Sequence, residues 1–126
     1  MSVPTNLRYT ETHEWVRVEP DGECTVGITA YAKDALGDIV YFDLPKVGKE
    51  YSAGDACGVV ESVKAASDIN MPAAGVITAG NNAVKDAPES VNAEPYEAWV
   101  FKFKPKNVAD VNNLMSPEDY QKTIGV

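Results

Sequence analysis

The chain has 126 residues, of which 44% are hydrophobic, and its 11 basic and 19 acidic residues give a net charge of −8 at pH 7. This length suits one ordinary domain, over residues 1–126, with a core large enough to fold without disulfides or a structural metal. The negative charge argues against a nucleic-acid or membrane partner, because phosphates and anionic lipids select basic surfaces. The negative charge is consistent with a protein that binds partners through their basic surfaces, and it is equally consistent with a role in solubility alone.

Targeting signals and cysteine usage point to a reducing compartment. No apolar run approaches the ~18 residues of a membrane span, and residues 1–9 contain neither an apolar signal stretch nor an Arg-rich transit sequence. We therefore expect a bacterial cytoplasmic protein or, alternatively, the mature form of a mitochondrial matrix protein. Cys24 and Cys57 form no CxxC pair or metal-ligand cluster, so two small buried thiols are favoured over a disulfide.

The first predicted elements are a β-hairpin and a short helix. Residues 14–19 and 24–28 alternate between polar and apolar, and residues 20–23, Pro-Asp-Gly-Glu, have turn chemistry. Thr29 can cap the helix, and Gly37 is expected to end it as a left-handed cap. The apolar stripe of this helix consists of Ile28, Ala32, Ala35, Leu36 and Ile39.

The middle of the chain is predicted to be β. Two of its strands are expected to form a hairpin with residues 64–66 at the tip, and Pro45 and a loop at residues 80–82 punctuate the remainder. The predicted strands are residues 39–44, 57–63, 68–71, 75–78 and 97–104. The last strand would place Trp99, Phe101 and Phe103 on one face. We predict that these three aromatic residues, and Tyr41 and Phe42 of the strand at 39–44, form part of the core or of a cleft wall.

The C-terminal segment is predicted to be helical. Ser116 and Pro117 have the residue types of a helix N-cap and a first helical position. Before them, apolar residues recur at spacings of three and four, at Val108, Val111, Leu114 and Met115. The whole pattern predicts a mainly β fold of two antiparallel sheets, with a short early helix and a C-terminal helical segment.

Signatures of catalysis are scarce. The only histidine is His13, so a Ser-His-Asp triad would have to use it, and the sequence contains no Gly-x-Ser-x-Gly elbow. It contains no P-loop or Gly-x-Gly-x-x-Gly fingerprint either. We therefore predict that the chain is not an enzyme and that His13 is structural.

One lysine is distinguished by its neighbours. Residues 60–68 read Val-Glu-Ser-Val-Lys-Ala-Ala-Ser-Asp, so Glu61 lies three residues before Lys64 and Asp68 four residues after it. Small side chains at the predicted tip leave the amine open to an enzyme that delivers an activated acyl group. Without this context, a lysine on a hairpin is simply a solvated charge.

This segment resembles the lipoylation segment of glycine cleavage H proteins, and matches elsewhere extend the resemblance over roughly residues 7–104. The other matching residues, in order, are Tyr9, His13 to Trp15, Val26 to Thr29, Leu36 to Val40, Leu44, Pro45, Val47, Gly48, Val91, Asn92, Pro95, Tyr96 and Trp99. Ala98 departs from the family pattern, which usually has Gly there. Residues 78–90 also match loosely.

The resemblance implies the flattened barrel-sandwich hybrid fold of lipoyl and biotinyl carriers, with lipoate attached covalently to Lys64 on an exposed hairpin. The implied function is a carrier in glycine catabolism and one-carbon metabolism. Its implied partners are a PLP-dependent glycine decarboxylase (P protein), a tetrahydrofolate-dependent aminomethyltransferase (T protein) and dihydrolipoyl dehydrogenase (L protein). They load an aminomethyl group with release of CO2, remove the one-carbon unit with release of ammonia, and reoxidise the dithiol. Lipoate-attaching enzymes complete the set, and a carrier that docks on several enzymes is expected to be monomeric.

The resemblance also implies roles for residues around Lys64. Glu61 is expected to help the lipoate-attaching enzyme recognise the hairpin. Glu14 and Asp68, with Thr12 and His13 nearby, match positions implicated in a cleft that shelters the cationic, loaded arm. The alternative is that Glu14 and Asp68 are ordinary surface acids.

Several other readings compete with this function. A biotinyl domain usually has Ala-Met-Lys-Met around its lysine, whereas residues 62–65 read Ser-Val-Lys-Ala. The lipoyl domain of a 2-oxo acid dehydrogenase acyltransferase is shorter and usually has Asp before its lysine. Two further alternatives are an H-like protein that mainly donates lipoate to other lipoyl proteins and a β-rich interaction domain without any modification.

Overall fold

The structure is a computed structural model that describes residues 3–125, in which nine strands and five helices follow one another. The strands are β1 (Arg8–Tyr9), β2 (Glu14–Val18), β3 (Cys24–Ile28), β4 (Ile39–Asp43), β5 (Glu50–Tyr51), β6 (Ala56–Ser62), β7 (Ala66–Asn70), β8 (Gly75–Gly80) and β9 (Phe101–Pro105). The helices are α1 (Ala30–Leu36), α2 (Asn82–Asp86), α3 (Glu89–Ala93), α4 (Val108–Asn112) and α5 (Pro117–Ile124).

The strands form two antiparallel sheets that do not close into a barrel. The larger sheet has the order β1-β2-β3-β9-β8-β5, and the smaller has the order β4-β6-β7. Both sheets contribute to one core, in which Val26 and Phe101 of the larger sheet join Phe42, Val60 and Ile69 of the smaller. The predicted mainly β fold with two antiparallel sheets and short helices is confirmed.

A second apolar cluster fastens the C-terminal helix to the larger sheet. The ring of Tyr120 in α5 stacks on that of Tyr9 in β1, with centroids 4.6 Å apart. Trp15 lies in the same cluster and covers Gly27, its partner across β2 and β3, so closely that a Cβ there would lie 2.5 Å from the indole. The chain therefore needs glycine at position 27 for lack of space.

Helix α1 begins as predicted and ends differently. The Thr29 hydroxyl accepts a hydrogen bond from the Ala32 N–H, as expected of an N-cap. Gly37 ends the helix at a φ of 85°, but its ψ of −159° lies outside the left-handed helical well, in a region that is essentially restricted to glycine. Ala32 and Leu36 pack on the core, whereas Ala35 is exposed, so its assignment to the buried stripe is wrong.

Two other predictions are corrected because local pattern does not determine tertiary packing. The strand predicted at residues 97–104 begins only at Phe101 and extends to Pro105. The segment before it turns, so half-buried Trp99 packs on the second cluster while Phe101 and Phe103 lie in the main core. The predicted loop at residues 80–82 instead ends β8 and starts α2, which Asn81 caps. The pattern also missed α3 and the two-residue strands β1 and β5.

An asparagine closes an edge of the smaller sheet. In α3, the Asn92 Oδ1 accepts from the Ile39 N–H at 3.0 Å and its Nδ2 donates to the Ile39 carbonyl at 3.3 Å. Ile39 opens β4, an edge strand with polar backbone groups that would otherwise lack ladder partners on that side. Asn92 thus holds α3 against the smaller sheet.

Replacing Asn92 with alanine is expected to lower the free energy of unfolding by about 1–2 kcal/mol, because two partly buried backbone groups lose their partners. Urea denaturation measures this loss. Asn82→Ala is the matched control, because Asn82 is exposed in α2 and its loss should stay within about 0.5 kcal/mol. Equal losses in the two variants would contradict the role of Asn92.

Candidate functional site

Lys64 lies at the centre of the turn between β6 and β7. The strands end at Ser62 and resume at Ala66, so the tip is residues 63–65 and lies one residue earlier than predicted. The Ser62 N–H donates to the Ala65 carbonyl at 2.7 Å, and the Ser62 Oγ accepts from the N–H groups of Lys64 and Ala65 at 3.3 and 3.1 Å. The serine therefore fixes a turn that lacks the Asn-Gly or Asp-Gly pair of the commonest tight hairpins.

The tip projects beyond the core. Val60 and Ile69 are the buried residues of this hairpin nearest to the turn, and the residues between them are exposed apart from half-buried Ser62. Val63 is 70% exposed, and Ala65 and Ala66 offer only methyl groups beside the lysine. The Lys64 amine is thus accessible to another protein.

Glu61 and Asp68 lie on the solvent face of the smaller sheet. Glu61 pairs with Tyr41 on one side and Ala66 on the other, whereas Asp68 pairs with Val59. Because alternate strand residues face the same side, both acids point away from buried Val60 and Ile69. Glu61 lies three residues from Lys64 on an open surface, where a docking protein could contact both.

Glu14, by contrast, is almost fully buried, with 2% of its surface exposed. Its Oε1 accepts hydrogen bonds from the hydroxyls of Thr10 and Thr12, both at 2.5 Å, and its Oε2 accepts from the Asn70 N–H at 3.2 Å. Glu14 opens β2 and Asn70 ends β7, so the carboxylate joins the larger sheet to the base of the lysine hairpin. The alternative reading of Glu14 as an ordinary surface acid does not fit this burial.

Burial raises the pKa of the Glu14 carboxyl above its ordinary value near 4.5, and the hydrogen bonds from Thr10, Thr12 and the Asn70 backbone oppose that rise. The two 2.5 Å contacts are as short as hydroxyl-to-carboxylate bonds become. A carboxylate has about four lone-pair sites, and Thr10, Thr12 and Asn70 occupy three of them.

A groove of about 350 Å³ opens beside this carboxylate. The three residues that bind Glu14, which are Thr10, Thr12 and Asn70, line it together with apolar Met71, Leu114 and other neighbours. Its walls therefore combine the polar partners of a buried carboxylate with apolar side chains.

His13 belongs to the neighbouring structural network. It takes a φ of 72° at the end of the four-residue loop between β1 and β2, and its Nδ1 lies 2.9 Å from the Tyr120 hydroxyl. That hydroxyl also meets the Thr29 hydroxyl at 2.8 Å, and burial lowers the pKa of His13 while it raises that of Tyr120 to about 12. The imidazole is thus held against α5 rather than joined to the carboxylate of Glu14.

Sequence reasoning missed three participants in this region. Thr10 binds Glu14, the Asn70 backbone does the same, and Ser62 forms the lysine turn. Of these only Ser62 had a readable signal, because serine in a turn often bonds the backbone two or three residues ahead. The other two depend on how the sheets meet.

The two cysteines are free and buried, as predicted. Burial is the largest cause that raises the pKa of Cys24 to about 11 and that of Cys57 to about 12, so both stay as thiols at neutral pH. Within residues 3–125 no group of three or more His, Cys, Asp or Glu side chains is placed to hold a metal ion. No helix in that part of the chain is long and apolar enough to cross a membrane.

The sequence matches a family model described as "Glycine cleavage H-protein" over residues 7–125. It is 53% identical over 123 residues to the glycine cleavage system H protein of Aromatoleum aromaticum, covering 98% of this chain and 96% of that one. It is 54% identical over 125 residues to the H protein of Paraburkholderia xenovorans, covering 99% of each chain.

A solved structure agrees in fold as well. The crystal structure of a glycine cleavage system H protein from Mycobacterium marinum superimposes with a TM-score of 0.90 and 39% sequence identity, covering 98% of this chain and 100% of that one. The likeness therefore extends to both sheets and to the C-terminal helix.

Proposed function

The chain belongs to the glycine cleavage H-protein family, and from this premise we propose that it is a non-enzymatic carrier whose Lys64 bears covalently attached lipoate. The observation that carries the proposal is the lysine itself, which stands exposed on a turn fixed by Ser62 between small neighbours. The proposed partners are glycine decarboxylase, aminomethyltransferase, dihydrolipoyl dehydrogenase and a lipoate-attaching enzyme.

The attachment would proceed at the Lys64 amine. Its deprotonated Nζ attacks the acyl carbon of lipoate activated as an adenylate, AMP leaves, and the nitrogen loses a proton to give an amide. The open turn lets an enzyme approach, and Glu61 on the solvent face is placed to be recognised beside the lysine. When bound, the lipoyl group supplies a sulfur that carries the aminomethyl group and a dithiol–disulfide couple.

The groove beside Glu14 would shelter the loaded arm. The hydroxyl of Thr12, an exposed residue, donates to the Glu14 carboxylate, so a rotation of that hydroxyl would free one site on Oε1 for a cation. The apolar side chains that line the groove would contact the hydrocarbon part of the arm and exclude water. Asp68 would add a second negative charge near the mouth of the groove, two residues along β7 from Asn70.

The direct test is the intact mass of the protein after incubation with lipoate, ATP and a lipoate ligase, followed by peptide mapping. One lipoyl adduct on Lys64 is expected. If correctly folded protein takes no adduct, or takes it at another lysine, the proposed function fails.

Exchanging the two acids for amides, Glu14→Gln with Asp68→Asn, should speed loss of the bound aminomethyl group roughly tenfold, since a charge-assisted hydrogen bond of about 1.4 kcal/mol disappears. Ammonia and formaldehyde release from the loaded protein measures the rate. Asp86→Asn with Glu89→Gln removes the same charge from exposed positions and should leave the rate unchanged. An unchanged rate in the first pair would show that the groove does not shelter the arm.

A further inference from the structure

The side chain of Lys64 does not extend freely into solvent but passes over Gly37. A Cβ built on Gly37 would lie 3.4 Å from the Lys64 Cε and 3.9 Å from its Cδ. Apart from the residues adjacent in sequence and the backbone of α1, no other described residue comes within 4 Å of that Cβ position. The bare face of Gly37 is therefore turned towards the lysine stem.

The segment between α1 and β4, which contains Gly37 and Asp38, also holds the backbone of the lysine turn. The carbonyl of Asp38, between α1 and β4, accepts a hydrogen bond from the Val63 N–H at 3.0 Å. Ser62 holds the Lys64 N–H from the other side of the turn. The backbone N–H of Val63 is thus held by the α1–β4 segment, and that of Lys64 is held by Ser62 of the hairpin.

We propose that Gly37 and Asp38 form a platform that positions the Lys64 side chain for acylation. The inference rests on the proposed function, in which Lys64 is lipoylated. The Asp38 carbonyl fixes the direction in which the lysine leaves the turn, and the bare backbone of Gly37 gives its methylene stem a surface to lie on. Gly37 and Asp38 act through Lys64, so they are positioning residues.

The physical gain is a smaller set of orientations for the amine. A free lysine stem loses up to about 2 kcal/mol of rotamer entropy when it is ordered, and an acylating enzyme must order it to align the amine with the acyl carbon. A stem that already rests on Gly37 has lost part of that freedom before the enzyme arrives. A methyl group at position 37 would lie in van der Waals contact with the stem, on the face where the stem now rests against bare backbone, and would also strain a backbone at φ 85°.

A second glycine with a positive φ serves as the control. Gly22 in the β2–β3 turn has a φ of 87°, and a Cβ there would meet nothing within 4 Å. Gly37→Ala and Gly22→Ala therefore both place a Cβ at a positive φ, but only the first touches Lys64. We expect kcat for lipoyl transfer by a lipoate ligase to fall roughly tenfold in Gly37→Ala alone. The KM for the protein substrate should change less than about twofold in both variants, because the docking surface is retained.

Three results bear on the inference. A tenfold loss of kcat confined to Gly37→Ala supports it, whereas equal kcat values in the two variants would overturn it while leaving the proposed function intact. Wild-type protein that takes no adduct would overturn the proposed function and this inference together.

A measurement on unmodified wild-type protein keeps the inference testable if Gly37→Ala does not fold. Proton NMR should show a nuclear Overhauser contact between the Gly37 Hα and Lys64 Hε protons, and slow exchange of the Val63 amide with solvent. Absence of that contact, with free averaging of the Lys64 stem, would overturn the platform.

Discussion

Replacing Lys64 with arginine is expected to abolish carrier activity completely. Arginine keeps the positive charge and much of the length of the side chain, but its guanidinium stays protonated and cannot form the amide. Because the Lys64 side chain is exposed and its backbone N–H keeps its bond to Ser62, the change should leave stability within about 0.5 kcal/mol. The measurement is release of CO2 from carboxyl-labelled glycine in a mixture of the three proposed partner enzymes.

The control for this prediction is another exposed lysine. Lys46→Arg makes the same chemical change at a position outside the hairpin, and its activity should equal that of the wild type. CO2 release at the wild-type rate by folded Lys64→Arg protein would show that the family resemblance does not extend to the modified lysine.

The second large effect is expected on stability, from Glu14→Ala. The substitution should lower the free energy of unfolding by about 2–3 kcal/mol, because it opens a cavity and removes the acceptor of the Thr10 hydroxyl and the Asn70 N–H. It should also loosen the base of the lysine hairpin, since the Asn70 contact joins β7 to β2. Urea denaturation gives the loss, and amide exchange at Asn70 gives its location.

A neighbouring glutamate serves as the control. Glu11 lies in the same loop but is exposed, so Glu11→Ala should change stability by less than about 0.5 kcal/mol. A similar loss in both variants would mean that the buried carboxylate contributes nothing specific.

The stability contributed by Glu14 should also depend on pH in a defined direction. Its pKa is raised in the folded protein above its ordinary value near 4.5, so the folded state holds the proton more tightly than the unfolded state. This contribution is fully present below the ordinary value and is lost as the pH rises through the raised folded pKa. The wild type should therefore lose stability relative to Glu14→Gln as the pH rises above about 4.5, and the opposite trend would show that the hydrogen bonds outweigh burial.

The sequence by itself determined the features that depend on neighbouring residues. The early helix starts at Thr29 and the last helix at Ser116 because each side chain caps an N–H three residues ahead. The alternation of residues 14–19 and 24–28 predicts the hairpin of β2 and β3, in which β2 ends one residue earlier at Val18. The small residues around Lys64 predict an open tip. Local signals of this kind need no knowledge of the rest of the chain.

Only the tertiary structure decided which distant groups meet. Glu14 is buried because Asn70, 56 residues later, lies against it, and His13 is held by Tyr120, 107 residues later. Trp99 lies before β9, and its ring packs against the second cluster and not in the main core. Such contacts follow from how two sheets and a terminal helix pack, and packing energy is summed over the whole core rather than encoded in any short stretch of sequence.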